Sequence, residues 1–235
     1  MTDLNALAAA NAERWENARL TRDFGAVARG LVSAAAKSRY QSVAAKTGVP
    51  WAVIAVIHER ESSQDWTRSL AQGDPWNRTS VHIPAGRGPF ASWEAAAIDA
   101  LVNCPPYAAR NADWSIGPTL TKLEQYNGLG YAARGLPSPY LWSGTDQYKS
   151  GKYVRDGVFD PSAVDSQLGC AGLLKAMVTL DPSAAVAAVK SPPIASEASP
   201  LSRQSTPAQP SLKNPSKGSI GAFVVSIFAA LFRRR

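Results

Sequence analysis

Cysteine, histidine and methionine each occur only twice in the 235 residues. Cys104 and Cys170 stand in no CxxC or other metal-type spacing, so two buried free thiols are expected. His58 and His82 form no HExxH pair and would need a third ligand from a cysteine or carboxylate, so structural histidines are expected and no metal or cofactor. Gly-rich phosphate loops, a Ser-His-Asp elbow, a haem motif and internal repeats are all missing. Basic charge is missing from the segment that would fold. Of the net +7, a balance of +6 lies from Ser183 onward, where seven Lys and Arg face Glu197 alone. The first 182 residues are nearly neutral, which speaks against a nucleic-acid-binding face. The opening MTDLNALAAANAERW lacks the basic-then-apolar order of a secretory signal, so synthesis and folding in the cytoplasm are expected.

What is present is apolar and aromatic: 45% hydrophobic residues, with seven Trp and seven Tyr, enough for a sizeable core. Helical spacing predicts two helices over residues 3–46. The first carries Leu4, Leu7, Ala8 and Trp15, interrupted by Asn11, and the second runs from Phe24 through Tyr40 and Val43 to a stop at Gly48. Ser92 is expected to cap a helix over Trp93–Val102, another is expected over Pro118–Tyr126, and a last one over Ser162–Leu180. Between Ser62 and Phe90, Gly73-Asp74-Pro75 is turn chemistry and Thr79–Ile83 alternates like a short strand. The stretch 127–161 has no sustained period, and its Tyr131, Tyr140, Trp142, Tyr148 and Tyr153 are candidates for stacking on sugar faces or for ordinary loop packing.

The chain is organised around GVPWAVIAVIHERESSQDW, residues 48–66. Gly48 closes the preceding helix and Pro50 suits the first turn of the next. An apolar run through Val53, Ile54, Val56 and Ile57 then turns abruptly into ionisable groups. At roughly 100° per residue, Glu61 falls between Ile54 and Ile57 in projection, while Glu59 points away toward solvent or another element. Glu61 therefore leaves the core-facing side where the helix ends. A half-buried carboxyl there has a raised pKa, as a general acid needs near neutrality. The plainer alternative pairs Glu61 with Arg60 or another base.

The order Gly-Val-Pro, apolar helix, Glu61-Ser62 resembles the catalytic helix of lysozyme-like peptidoglycan hydrolases, notably lytic transglycosylases and goose-type lysozymes. Tyr126-Asn127-Gly128 resembles their Tyr-Asn-(Ala)-Gly motif. The wider block from Ile57 to Met177, with HERESS, YNGLGY, SPYLWSG and GKYVRDGVFDP, is similar to phage and prophage endolysins. The resemblance implies a mainly α, lysozyme-like domain over residues 1–182 with a small β/loop segment. It implies cleavage of the β-1,4 bond between N-acetylmuramic acid and N-acetylglucosamine. Glu61 would be the general acid, with Ser62, Thr79, Tyr126 and Asn127 lining the saccharide site.

Glycosidases usually need a second carboxylate, and Asp74 lies on the turn after the helix, although Asp before Pro is often only turn chemistry. Asp74 followed by Thr79 resembles the Glu…Asp…Thr trio of phage-type lysozymes at different spacings. Asp65 and Glu59 are the runners-up. Where transglycosylases carry Gly-Leu-Met-Gln, this chain reads Ser69-Leu70-Ala71-Gln72-Gly73, which leaves hydrolysis and anhydro-forming transglycosylation both open. A non-catalytic wall-binding or membrane-anchored protein, or a zinc amidase or peptidase, are the other readings.

From 183 to 217 the chain turns to Pro, Ser and Ala and reads as a flexible linker. Residues 218–235 are a separate hydrophobic tail, with Lys217 before it and Arg233–Arg235 at its end. From Gly218 to Phe232 it would span about 22 Å as a helix, short of the roughly 30 Å hydrocarbon core, so it is expected to engage a membrane rather than cross it comfortably. The expected setting is a monomer made in the host cytoplasm, held at the inner membrane by this tail and acting on the periplasmic wall.

Overall fold

The computed structural model describes residues 2–71 and 73–186. The expected linker beyond residue 186 and the whole hydrophobic tail lie outside them. Among the described residues the chain is mainly helical, with eight α-helices and one two-stranded sheet. None of these helices is long and apolar enough to cross a membrane.

At the centre is α4, Trp51–Ser62. Every residue from Trp51 to His58 is buried, so this helix has no solvent face over two turns. It is enclosed by α2 (Gly25–Val32), α3 (Ala34–Thr47), α6 (Ile116–Tyr126) and α8 (Cys170–Leu180). Val53, Ile54, Val56 and Ile57 are wholly inaccessible, and such side chains each stabilise the fold by about 1.5–3 kcal/mol. Gly48 adopts φ +73° and its N–H closes α3 on the Ala44 carbonyl at 2.8 Å, a conformation that a Cβ would oppose. Pro50 stands at the cap of α4 rather than in its first turn, and its carbonyl accepts the Val53 and Ile54 N–H groups.

Three departures from the sequence reading have physical causes. Residues 3–46 form three helices, not two: α1 (Leu4–Asn17), α2 and α3. Ser33 is extended, its hydroxyl donates to the Gly30 carbonyl and its own carbonyl accepts from Lys37, so it ends one helix and starts the next. On α1 the fully buried side chain is Asn11, which meets Thr121 and Glu124 of α6, whereas Leu4 is largely exposed.

Thr79–Ile83 is not a strand. The N–H groups of Val81 and His82 both donate to the Asp74 carboxylate at 2.9 Å, so a side chain takes the bonds that a neighbouring strand would have taken. The loop then closes on Ser80, whose backbone and hydroxyl engage Pro84, Gly86 and Arg87. The sheet lies later, where β1 (Lys152–Arg155) pairs antiparallel with β2 (Val158–Asp160).

The last helix begins at Cys170, not at Ser162. Asp160 Oδ1 accepts from Ser162 and Ala163 N–H, the Ala163 carbonyl accepts from Gly151, and Asp165 is drawn inward to cations. Val164, within the helix expected over Ser162–Leu180, is consequently exposed in a loop. By contrast α5 (Trp93–Asn103) forms where expected, with Ala95 N–H donating to the capping Ser92 hydroxyl, and α6 ends at Tyr126 as read. The folded region runs through the turn Pro182–Ala184, where the Trp51 indole donates to the Ser183 carbonyl at 3.0 Å.

Candidate active site

Glu61 stands in the last turn of α4, half-buried. A short helix, α7 (Pro139–Trp142), begins with Pro139 just after Ser138 and brings Tyr140 to it. The Tyr140 hydroxyl donates to Glu61 Oε1 at 2.9 Å. Burial pushes the Glu61 carboxyl up strongly, and the Tyr140 bond and the Arg60 charge pull it back only in part, leaving it at about 7. Burial and the neighbouring Glu61 hold the Tyr140 phenol far above its ordinary value, so it remains a donor.

Arg60 does not form the ion pair with Glu61 that the plainer reading offered. The residue is 6% exposed, and its guanidinium donates to Asp165 Oδ2 at 3.0 Å and to the Leu168 carbonyl and lies 4.7 Å from the Tyr140 ring centroid. Lys152 of β1 reaches the other Asp165 oxygen at 3.0 Å. Burial alone would raise Asp165, but the two cations outweigh it and hold the carboxyl below its usual range. This buried network braces the tyrosine from behind while Glu61 keeps a neutral neighbour.

Tyr126 lies within the electrostatic reach of Glu61: burial chiefly, and then the Glu61 charge, raise its phenol. Its hydroxyl is buried without a hydrogen-bond partner. Asn127 caps α6 beside it, half-buried, with Nδ2 donating to the Ser138 hydroxyl at 3.4 Å. Ser62 follows Glu61 and turns its hydroxyl back to the His58 carbonyl at 3.0 Å. Thus Glu61, Ser62, Tyr126 and Asn127 gather at one place, joined by Tyr140.

Asp74 is differently engaged. It is 8% exposed, and besides the two backbone donors it receives His82 Nδ1 on Oδ1 at 2.6 Å. Burial would raise its carboxyl, but the His82 backbone and ring and the Val81 N–H together hold it below its ordinary range. It is ionised and fully occupied, not a free carboxylate facing the cleft. Its turn still reaches α4, since a Cβ at Gly73 would lie 3.6 Å from the Glu61 carbonyl oxygen. Thr79 is exposed on the following loop. Asp65 is tied to Thr67 and Arg68, and Glu59 is half-buried with its carboxyl raised by burial.

His58 is structural. Burial lowers it to about 4, so it is neutral. Its Nε2 lies 3.1 Å from the Asp65 carbonyl, which only accepts, so Nε2 carries the proton and Nδ1 accepts from the Tyr40 hydroxyl at 3.0 Å. Cys104 and Cys170 are buried free thiols, as read. A separate groove of about 550 Å³ lies between the start of α1 and the Ala132–Leu136 turn, and none of the Glu61 cluster borders it.

Sequence reasoning held Tyr140 only as one aromatic among several; its signal was the Ser138-Pro139 helix start, which aims the next residue inward. The Arg60–Asp165 pair, 105 positions apart, had no local signal. No family model, curated protein or solved structure matches this chain.

Proposed function

We propose that the protein is a lysozyme-like peptidoglycan glycosidase of the phage or prophage endolysin type. It would cleave the β-1,4 bond between N-acetylmuramic acid and N-acetylglucosamine. The observation that carries this reading is the state of Glu61: a carboxyl at about 7, half-open to solvent, unpaired with any cation and oriented by Tyr140. Such a group holds a proton near neutrality and can pass it to a glycosidic oxygen. Asn127, half-buried beside it, is suited to hold the saccharide, with the buried Tyr126 backing it from the core and Ser62 and the exposed Thr79 at the margins. The motifs of the sequence, in their order, supply the substrate class.

The test is release of soluble glycan from dye-labelled, purified cell walls. Wild-type protein should release it, and Glu61→Gln should be slower by about 10²–10⁴, the usual worth of a positioned acid. Equal release by the two proteins sinks the assignment of Glu61. No release by either leaves the wall-binding reading. The tail of residues 218–235 is proposed to engage the inner membrane without serving catalysis. Truncation after Lys217 should move the protein from the membrane fraction to the soluble one and leave wall cleavage intact.

A further inference from the structure

We infer that His82 is the general base that activates water in this site, with Asp74 as its positioning residue. The inference rests on the glycosidase reading above. An ionised Asp74 is an acceptor only, so the ring nitrogen 2.6 Å from its Oδ1 carries the proton. In the neutral ring that placement leaves Nε2 as the open nitrogen, and the His82 side chain is 52% exposed. The N–H groups of Val81 and His82 both fall on Asp74 Oδ2, which leaves Oδ1 to hold the ring. A carboxylate that fixes an imidazole tautomer and leaves the other nitrogen open is the arrangement of an oriented base.

The loop that carries the ring is held in place. Phe90 N–H bonds the Trp76 carbonyl, Ser80 ties both sides of the turn, and Arg87 is paired to Asp99 of α5. A Cβ at Gly73, next to Asp74, would lie 3.6 Å from the Glu61 carbonyl oxygen, so the turn before the loop runs past the end of α4 that presents the acid. Val81 and Ile83, either side of His82, are 78% and 63% exposed, an apolar rim that does nothing for the core.

The step balances with water alone. Nε2 takes a proton from water as its oxygen bonds to the muramic C1; the bond from C1 to the leaving oxygen breaks, and that oxygen takes the proton of Glu61. Solvent then returns a proton to Glu61 from the imidazolium. The product is a reducing, hydrated muramic end, not an anhydro ring.

Purified peptidoglycan is digested with full-length wild type, His82→Ala and His82→Gln, and the muramic ends are weighed. Wild type should give hydrated ends. Both variants should remain folded, with a lower melting temperature where Asp74 Oδ1 loses its donor, and lose about 10²-fold or more in kcat with little change in KM. Added imidazole should restore His82→Ala and not His82→Gln. Anhydro ends from wild type, or a His82→Ala rate within about twofold of wild type, overturn His82 as base while leaving Glu61 as acid. Absence of glycan cleavage by wild type overturns the glycosidase reading and this inference with it.

Discussion

The hydroxyl of Tyr140 meets Oε1 of Glu61 at 2.9 Å across 79 positions of sequence. A donor aimed at a carboxylate favours the ionised form, so this bond restrains a rise that burial imposes. Tyr140→Phe keeps the ring under Arg60 and removes only the donor. Glu61 should then hold its proton to higher pH, and the alkaline limb of the cleavage profile, set near 7 in the wild type, should move upward. A pH–rate profile of both proteins checks this; an unmoved limb means that another group sets it.

Glu61 costs the fold stability. Its carboxyl rises from an ordinary 4.5 to about 7, so the folded state binds the proton more tightly than the unfolded chain. The cost is absent below about 4.5, grows through that interval and levels off above 7. Allowing for its partial exposure, the plateau is on the order of 1–3 kcal/mol. Glu61→Gln keeps an acceptor for Tyr140 and should melt higher than wild type at pH 8 but equally at pH 4. Paired thermal melts decide it, and equal melting at both pH values contradicts the raised carboxyl.

Arg60 supports the site from behind. Arg60→Ala leaves Asp165, 1% exposed, with Lys152 as its cation and Oδ2 without its guanidinium donor, and should destabilise the protein by about 3–5 kcal/mol in urea titrations at pH 7. Because Asp165 sits below its ordinary range, its contribution is full above the unfolded carboxylate value near 3.8 and fades as pH falls through the folded one. The gap between wild type and variant should therefore narrow in acid. A constant gap would mean that lost packing, not the ion pair, explains the defect.

What could be read in advance was what local physics dictates. The apolar run 51–57, the Gly48 stop, the Ser92 cap and the projection of Glu61 each depend on neighbours within two turns, and each stands as read. The failures at Thr79–Ile83, Asp165 and Asn11 involve partners at or beyond that reach, from seven and eight positions for Asp74 to 113 for Asn11. Asp74 supplied the bonds that kept Thr79–Ile83 from pairing as a strand. Arg60 and Lys152 pulled Asp165 out of a helix that its apolar spacing favoured. Asn11 looked like a flaw in an apolar face and is that face's buried contact with Thr121 and Glu124. In the site, Glu61 was legible because burial and helix end coincide in sequence. Its partner Tyr140 was not, since only the fold brings α7 to α4.

Helix α8 crosses the core closely at Gly172, where a Cβ would come within 2.2 Å of the Phe24 ring. Gly172→Ala should cost about 1–3 kcal/mol by overpacking, and Phe24→Leu in the same chain should recover part of it. A double-mutant cycle in urea gives the coupling directly. Simple additivity would show that Phe24 is not the neighbour that suffers.

The most direct measurement is mass spectrometry of purified peptidoglycan digested by wild-type protein and by Glu61→Gln under identical conditions. The account predicts disaccharide-peptides ending in muramic acid from the wild type, with stem peptides still attached, and the same products formed about 10²–10⁴ more slowly by the variant. Free peptides cut from intact glycan strands, or the same disaccharide-peptides at the same rate from Glu61→Gln, would contradict it.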